Sequence, residues 1–368
     1  MCSARKRISF MLLIAISIGF FLSSALYAAD DMPSDLMEKV KKEGKKLNVL
    51  NWGYYIAENS IPKFEKEFGV KVTYDTFESA DAMLAKVQAG GGGYDVVIAD
   101  NEYVQYLIRL KKIQPLNHKW LPNMKNIMDK FVNPNYDPGN EYSIPYLWGS
   151  AGFVYNTKYT KGDSNLSDTC SWAAILESDK YAGKIGMMDS WGVSIAAALF
   201  YSGHSMNTHD KAHLTKAKEI LLKQKKGVKA YGEVRKLLEA EEVYLATLWS
   251  GDSVGVSERN PAIKYCAPKE GMMLYLDNWT ILKGSERPAT AHLWLNYLLR
   301  AKVAANNANY VHFATTNKAA LPDIDENDRK NPAVYPSQAV LERSEFSEAF
   351  DGDQLTLREE IWEIVKAR

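Results

Sequence analysis

Leu47-Asn48-Val49-Leu50-Asn51-Trp52, Val70-Lys71-Val72-Thr73-Tyr74 and Tyr94-Asp95-Val96-Val97-Ile98-Ala99 are the segments on which the fold turns. The first and third are short apolar runs of buried-strand length, and the middle one alternates as a half-buried strand does. Between them, residues 60–68 set Phe64 and Phe68 four apart on one helical face. Residues 79–89 do the same with Met83, Leu84 and Val87. The order strand, helix, strand, helix, strand implies a largely parallel sheet covered by helices. Gly90 to Gly93 follow a helix and precede a strand. A phosphate-cradling loop has the reverse order and ends in Lys-Ser/Thr, so these glycines read as a helix C-cap and turn.

Working outward, a second cycle follows Tyr142-Ser143-Ile144-Pro145-Tyr146-Leu147-Trp148. Strands are expected at Ala151–Tyr155, Lys184–Asp189, Val243–Trp249 and Met272–Leu282. Helices are expected at 171–178, Ile195–Tyr201, 212–224, 230–239, 288–302 and 354–366. With no internal repeat and no low-complexity linker, the chain reads as two α/β lobes joined by extended crossings. Each lobe is a mixed, mainly parallel sheet flanked by helices. The expected limits are 47–149 plus 273–314 for lobe 1 and 150–272 plus 315–368 for lobe 2.

Toward the N-terminus, Arg5, Lys6 and Arg7 precede an apolar run from Ile8 to Leu22 and small residues near Ala28. That is the layout of a cleaved secretory signal over residues 1–28, and the run is short for a spanning helix. No cysteine ends the apolar run, so a lipid anchor is not expected. The chain of 368 residues holds 45 Lys+Arg against 45 Asp+Glu. Removing residues 1–28 takes three basic residues and no acidic one, which leaves 42 against 45 and a net charge of −3. Nothing in that balance draws the protein to nucleic acid or anionic lipid. The expected location is the periplasm. In an oxidising compartment Cys170 and Cys266 are able to pair, a question of distance that sequence leaves open. Two cysteines with no Cys-x-x-Cys spacing, and scattered histidines, give no zinc site; neither metal nor cofactor is expected.

In open α/β sheets, ligands sit beyond the carboxyl ends of strands. Those ends carry Trp52, Tyr54 and Tyr55; Asp100, Asn101, Glu102 and Tyr103; Asp189, Ser190 and Trp191; Trp249, Ser250 and Asp252; with Tyr275, Asp277 and Trp279 on the returning strand. Carboxylates and rings recur, and Lys and Arg are absent from these segments. Carboxylates give charge-assisted hydrogen bonds to an ammonium group. Ring faces attract cations by about 0.5–2 kcal/mol, and rings pack on methylenes. The set suits an organic cation with an aliphatic body. Each residue also has a structural reading: Trp52 and Trp249 as core, Asp189 and Asp252 as helix N-caps. Asp277 stands apart, because an acid inside the apolar run Leu274 to Ile281 is unfavourable unless partnered. The histidines at 118, 204, 209, 213, 292 and 312 are assigned no Ser or Cys partner, and no catalytic residue is expected.

Taken together, and in order, several segments resemble the polyamine (spermidine/putrescine) binding proteins of bacterial ABC transporters. They are Asn51-Trp52-Gly53-Tyr54-Tyr55-Ile56, Phe64 to Val72, Tyr94-Asp95-Val96-Val97, Tyr142 to Gly149, Pro268-Lys269-Glu270-Gly271, Leu295 to Arg300 and Tyr335-Pro336. The resemblance implies a two-lobed type II periplasmic binding protein. Such a protein closes on one ligand, is a monomer and presents the ligand to a membrane permease. It implies that Trp52, Tyr55, Trp249 and Tyr275 form an aromatic box and that Asp277 and Asp252 hold amines, with Phe313 where a Tyr is usual. The ligand set expected is Trp52, Tyr54, Tyr55, Asp100, Tyr103, Ser190, Trp249, Asp252, Tyr275 and Asp277. The departures are Asp100 in place of a Ser, Glu102 at an aromatic position, and Ser190 and Val193 where carboxylates bind an amine. Asp100 or Glu102 is therefore the candidate replacement for the second-lobe acids. Rival readings are a binder of another organic cation or a zwitterion, such as a quaternary ammonium compound, an exported amine-processing enzyme, and a sensor that reports its ligand to a receptor.

Overall fold

The computed structural model describes residues 33–167, 170–177 and 179–367. The expected signal segment, 1–28, lies outside them. Helix α1 (Ser34–Lys42) leads into strand β1 (Lys46–Trp52), helix α2 (Ser60–Phe68), strand β2 (Lys71–Phe77), helix α3 (Ala80–Gln88), strand β3 (Val96–Asp100) and helix α4 (Asn101–Arg109). Local chemistry sets these bounds. Phe64 and Phe68 are buried, and Gly69 in the left-handed conformation ends α2 with its N–H donating to the Glu65 carbonyl. The Ser79 hydroxyl accepts from the Ala82 N–H and starts α3.

The chain crosses to the second lobe along β4 (Ser143–Asn156). There it forms β5 (Ile185–Met187), α5 (Trp191–Tyr201), α6 (Lys211–Gln224), β6 (Val228–Tyr231), α7 (Val234–Glu239), β7 (Leu245–Trp249), α8 (Ser250–Arg259) and β8 (Ile263–Cys266). It returns along β9 (Met273–Ile281), builds α9 (Pro288–Leu298) and α10 (Ala301–Val311), and passes β10 (Ala314–Thr315) and β11 (Glu345–Phe346) to α11 (Gly352–Lys366). The sheet order is β2-β1-β3-β9-β4-β7-β5-β6, with β8 and β10 on β4 and β11 on β9.

The sheet is mixed, as expected of each lobe, with its parallel pairs concentrated at the flanks and one, β11 on β9, at the centre. At the flanks β1 pairs parallel with β2 and β3, and β5 parallel with β6 and β7. In the middle, β3–β9, β9–β4 and β4–β7 are antiparallel. A chain that leaves along one strand and returns along its neighbour makes them so. Two helices differ from expectation. Residues 288–302 are two helices, because Arg300 has an extended backbone (ψ 135°) between α9 and α10. The start of 230–239 is strand, where β6 adds to the sheet edge.

We propose lobe boundaries near Ala151 and Met273, where β4 changes partner from β9 to β7. The segment from Thr315, assigned to lobe 2 by sequence, first packs on lobe 1: Thr315 pairs with Leu147, and a 3₁₀ turn at Lys318–Asp323 lies on α10. Strand β11 is a third crossing. Its continuation is held against α4 by Asn101, whose side-chain amide donates to the Ser347 carbonyl, and by the Tyr106 hydroxyl donating to the Phe350 carbonyl. Much of the aromatic surplus is core: Trp172, Trp279 and Trp294 are fully buried. Cys170 and Cys266, whose pairing sequence left open, form a disulfide with Cα atoms 5.6 Å apart.

Candidate functional site

Between the lobes, at the carboxyl ends of β1, β3 and β7, lies a cleft of about 490 Å³. All ten residues expected at a ligand site line it, together with Glu102, Trp191, Arg235, Phe313 and Ser347. Its volume falls in the range of small-molecule sites.

Asp277 is the centre of the first-lobe wall. It is 4% exposed, and its carboxylate accepts from the Tyr55 hydroxyl at 2.7 Å and the Trp52 indole N–H at 3.3 Å. Burial raises its pKa to about 7, Asp100 adds to the rise, and the two hydrogen bonds oppose it. Asp100 stands opposite Asp277 in the β3–β9 register and caps α4 by accepting from the Tyr103 N–H at 3.0 Å. Glu102, in the first turn of α4, faces the same space. Burial pushes both carboxyls upward, and the proximity of Asp100 pushes Glu102 further. Tyr103 presents its ring to the cleft, with its hydroxyl donating to Asp81 at 2.7 Å.

Rings close the cleft. Trp249 meets Tyr275 edge-on with centroids 5.0 Å apart, and Phe313 packs on Tyr55 at 5.6 Å and Tyr275 at 6.0 Å. Two glycines make this possible, since a Cβ at Gly251 runs into the Phe313 ring and one at Gly149 into Tyr275. Tyr54, with φ +57°, stands at the rim and is 91% exposed.

The second-lobe wall differs from expectation. The Ser190 hydroxyl caps α5 by accepting from the Val193 N–H at 3.3 Å, and Val193 is buried. Asp189 is outside the cleft: its carboxylate accepts from the Trp362 indole and from Lys366, each at 3.0 Å. Arg235, from the first turn of α7, lines the cleft and pairs with Asp252 at 3.2 Å. The expectation of a wall free of basic residues is thereby corrected. Burial raises the Asp252 pKa, against the pull of Arg235 and Arg259.

The comparisons with known proteins add the family. The model for bacterial extracellular solute-binding proteins matches residues 59–334. The chain belongs to that family.

Relatives within it include the putrescine-binding periplasmic protein SpuD of Pseudomonas aeruginosa, 33% identical over 82% of this chain and 86% of that one. Spermidine/putrescine-binding periplasmic protein 1 of Haemophilus influenzae is 30% identical, over 94% and 96%. Among solved structures, the spermidine/putrescine ABC transporter substrate-binding protein PotD of Streptococcus pneumoniae superposes with a TM-score of 0.81. It is 28% identical and covers 88% of this chain and 98% of its own. The two-lobed type II fold expected from sequence is thus the fold of the family.

Two spacings expected to be absent, Gly-x-Ser-x-Gly and His-x-x-x-His, are present, and the expectation is corrected. Gly251-Asp252-Ser253-Val254-Gly255 has the Gly-x-Ser-x-Gly spacing of a nucleophile elbow. In this member of the family Ser253 is buried, inside α8, with its hydroxyl donating to the Ser250 carbonyl at 2.5 Å. His312 is held by Asp328 at 2.9 Å. His209 and His213 stand four apart, but the His213 ring stacks on His204 with centroids 3.7 Å apart. Among the described residues no group of His, Cys, Asp or Glu is arranged to hold a metal, and no helix is long and apolar enough to cross a membrane.

Proposed function

We propose that this chain is the solute-binding component of an ABC importer and that its ligand is a polyamine of the putrescine or spermidine kind. The observation that carries the reading is Asp277: a buried carboxylate held by Tyr55 and Trp52 at the floor of an aromatic cleft. An ammonium group there gains a charge-assisted hydrogen bond and the faces of nearby rings. The methylenes of the ligand lie against Trp249, Tyr275 and Phe313. Closure of the lobes follows from contacts made to both at once. The protein acts as a monomeric binder in the periplasm, delivers its ligand to a membrane permease and carries out no chemistry on it.

A zwitterionic ligand is the second reading, favoured by Arg235, whose guanidinium could pair a ligand carboxylate in place of Asp252. Titration of ligand-stripped protein, followed by the fluorescence of Trp52 and Trp249, separates the two. Saturable change with putrescine or spermidine supports the proposal. Response to glycine betaine with silence on both amines overturns it.

A further inference from the structure

The acids of the first-lobe wall outnumber the cations that face them. Around Asp100 stand Asp81 from α3, Glu102 and the N–H of Tyr103. Around Asp277 stand Asp100, its partner in the β3–β9 register, the Tyr55 hydroxyl at 2.7 Å and the Trp52 indole at 3.3 Å, with the phenols of Tyr275, Tyr136 and Tyr146 in electrostatic reach. Around Glu102 stand Asp100, Ser347, Tyr103, Tyr106 and, from α11, Arg358. Across the cleft, Asp252 is already matched by Arg235, with Arg259 behind it. Of the described residues acting on the three first-lobe acids, Arg358 is the one cation. Asp277 is buried, and Asp100 and Glu102 are half-buried beside it at the cleft; carboxyls placed this way do not all ionise freely, because each anion disfavours the next in a site only partly open to water. The acids therefore share protons and titrate as a coupled set.

We propose, resting on the cationic-amine reading above, that the cleft exchanges protons for its ligand: Asp100, Glu102 and Asp277 share protons between them in the free protein and release them when a ligand with two or more ammonium groups enters. The balance is simple. Each protonated carboxyl loses its O–H proton to solvent and becomes a carboxylate beside an ammonium group, which keeps its own protons. One proton leaves for each acid ionised. Asp100 and Glu102, which stand where relatives of the polyamine-binding type are expected to carry other residues, thereby take over the second amine. A monocation ionises one acid and leaves the neighbours protonated, so the cleft prefers a dication.

The test is calorimetry of the full chain with putrescine and spermidine at pH 7 in phosphate and in Tris, whose ionisation enthalpies differ widely. Release shows as a binding enthalpy that changes with the buffer. Affinity should also fall as pH is lowered from 8 to 6, by up to about tenfold per pH unit for each proton released. Asp100→Asn, which preserves the α4 cap, and Glu102→Gln should each bind with less proton release. Amine binding with buffer-independent enthalpy and a flat pH profile overturns proton exchange and leaves the functional reading standing. Unchanged release in both variants overturns the assignment to these residues. Absence of binding by either amine at every pH overturns the functional reading and this proposal with it. The wild-type comparison decides the exchange even where a variant fails to fold.

Discussion

Replacing Asp277 by Asn keeps the size of the side chain and removes its charge. In the free protein the change is mild. The carboxyl is 4% exposed and its pKa is raised to about 7, so the fold gains little from its charge. The amide oxygen can still accept from Tyr55, while the Trp52 indole loses a long 3.3 Å bond. Melting temperature should stay within a few degrees of wild type, where ~1 kcal/mol shifts a domain of this size by about 2–4 °C. With ligand the change is large. An ammonium group loses its buried carboxylate partner, and truncating one side of such a pair costs about 2–5 kcal/mol. At ~1.4 kcal/mol per decade, the dissociation constant rises by at least ~30-fold. Calorimetry with putrescine on folded, ligand-stripped protein measures it. An affinity within about threefold of wild type, with the circular dichroism spectrum intact, would refute the role assigned to Asp277.

Other expectations follow from the same geometry. Trp249→Ala removes a ring that meets Tyr275 at 5.0 Å; the lost cation–π attraction of about 0.5–2 kcal/mol corresponds to ~2- to 30-fold weaker binding, and calorimetry showing wild-type affinity contradicts it. Gly251→Ala drives a methyl into the Phe313 ring, so amine affinity should fall in a protein of unchanged secondary structure; full affinity would mean that Phe313 does not need its present position. The free protein should lose thermal stability as pH rises from about 5 to 8. The folded pKa of Asp277 lies above its ordinary value, at about 7, and that of His312 is raised by Asp328; stability from a raised group is present below the unfolded pKa and lost as pH rises through the folded one. Asp277→Asn should flatten the slope in differential scanning fluorimetry, and an equal slope removes this explanation. Reduction of Cys170–Cys266, which closes a separation of 96 residues, should destabilise by about 2–4 kcal/mol; a chemical melt indifferent to reductant rules that out.

The lobe cores were legible where pattern and burial coincide. Leu47 to Trp52 has the composition of a buried strand, and Phe64 with Phe68, four apart with the charged run Glu65-Lys66-Glu67 between them, fits one face of a helix better than an alternating strand. Asp277 was visible as an acid in an apolar strand. The strand pairing at the centre was not, because β4 and β9 owe their direction to traffic between lobes rather than to their own residues. Side-chain direction at strand ends was equally hidden. Asp189 and Ser190 are adjacent, yet one faces Lys366 and the other the cleft. Arg235 was missed because it comes from a helix outside the strand ends, and its first-turn position brings it back to Asp252. Glu102, a departure outside the expected ligand set, lines the cleft as well; its place in the first turn of α4, two residues after a capping Asp, is the signal in the sequence that points there.

The most direct measurement is isothermal titration calorimetry of refolded, ligand-stripped protein against putrescine, cadaverine, spermidine, spermine, agmatine, choline and glycine betaine. The account predicts one-to-one binding of a diamine or triamine, tighter than that of choline or glycine betaine. A response to choline or glycine betaine with silence on every polyamine would contradict it.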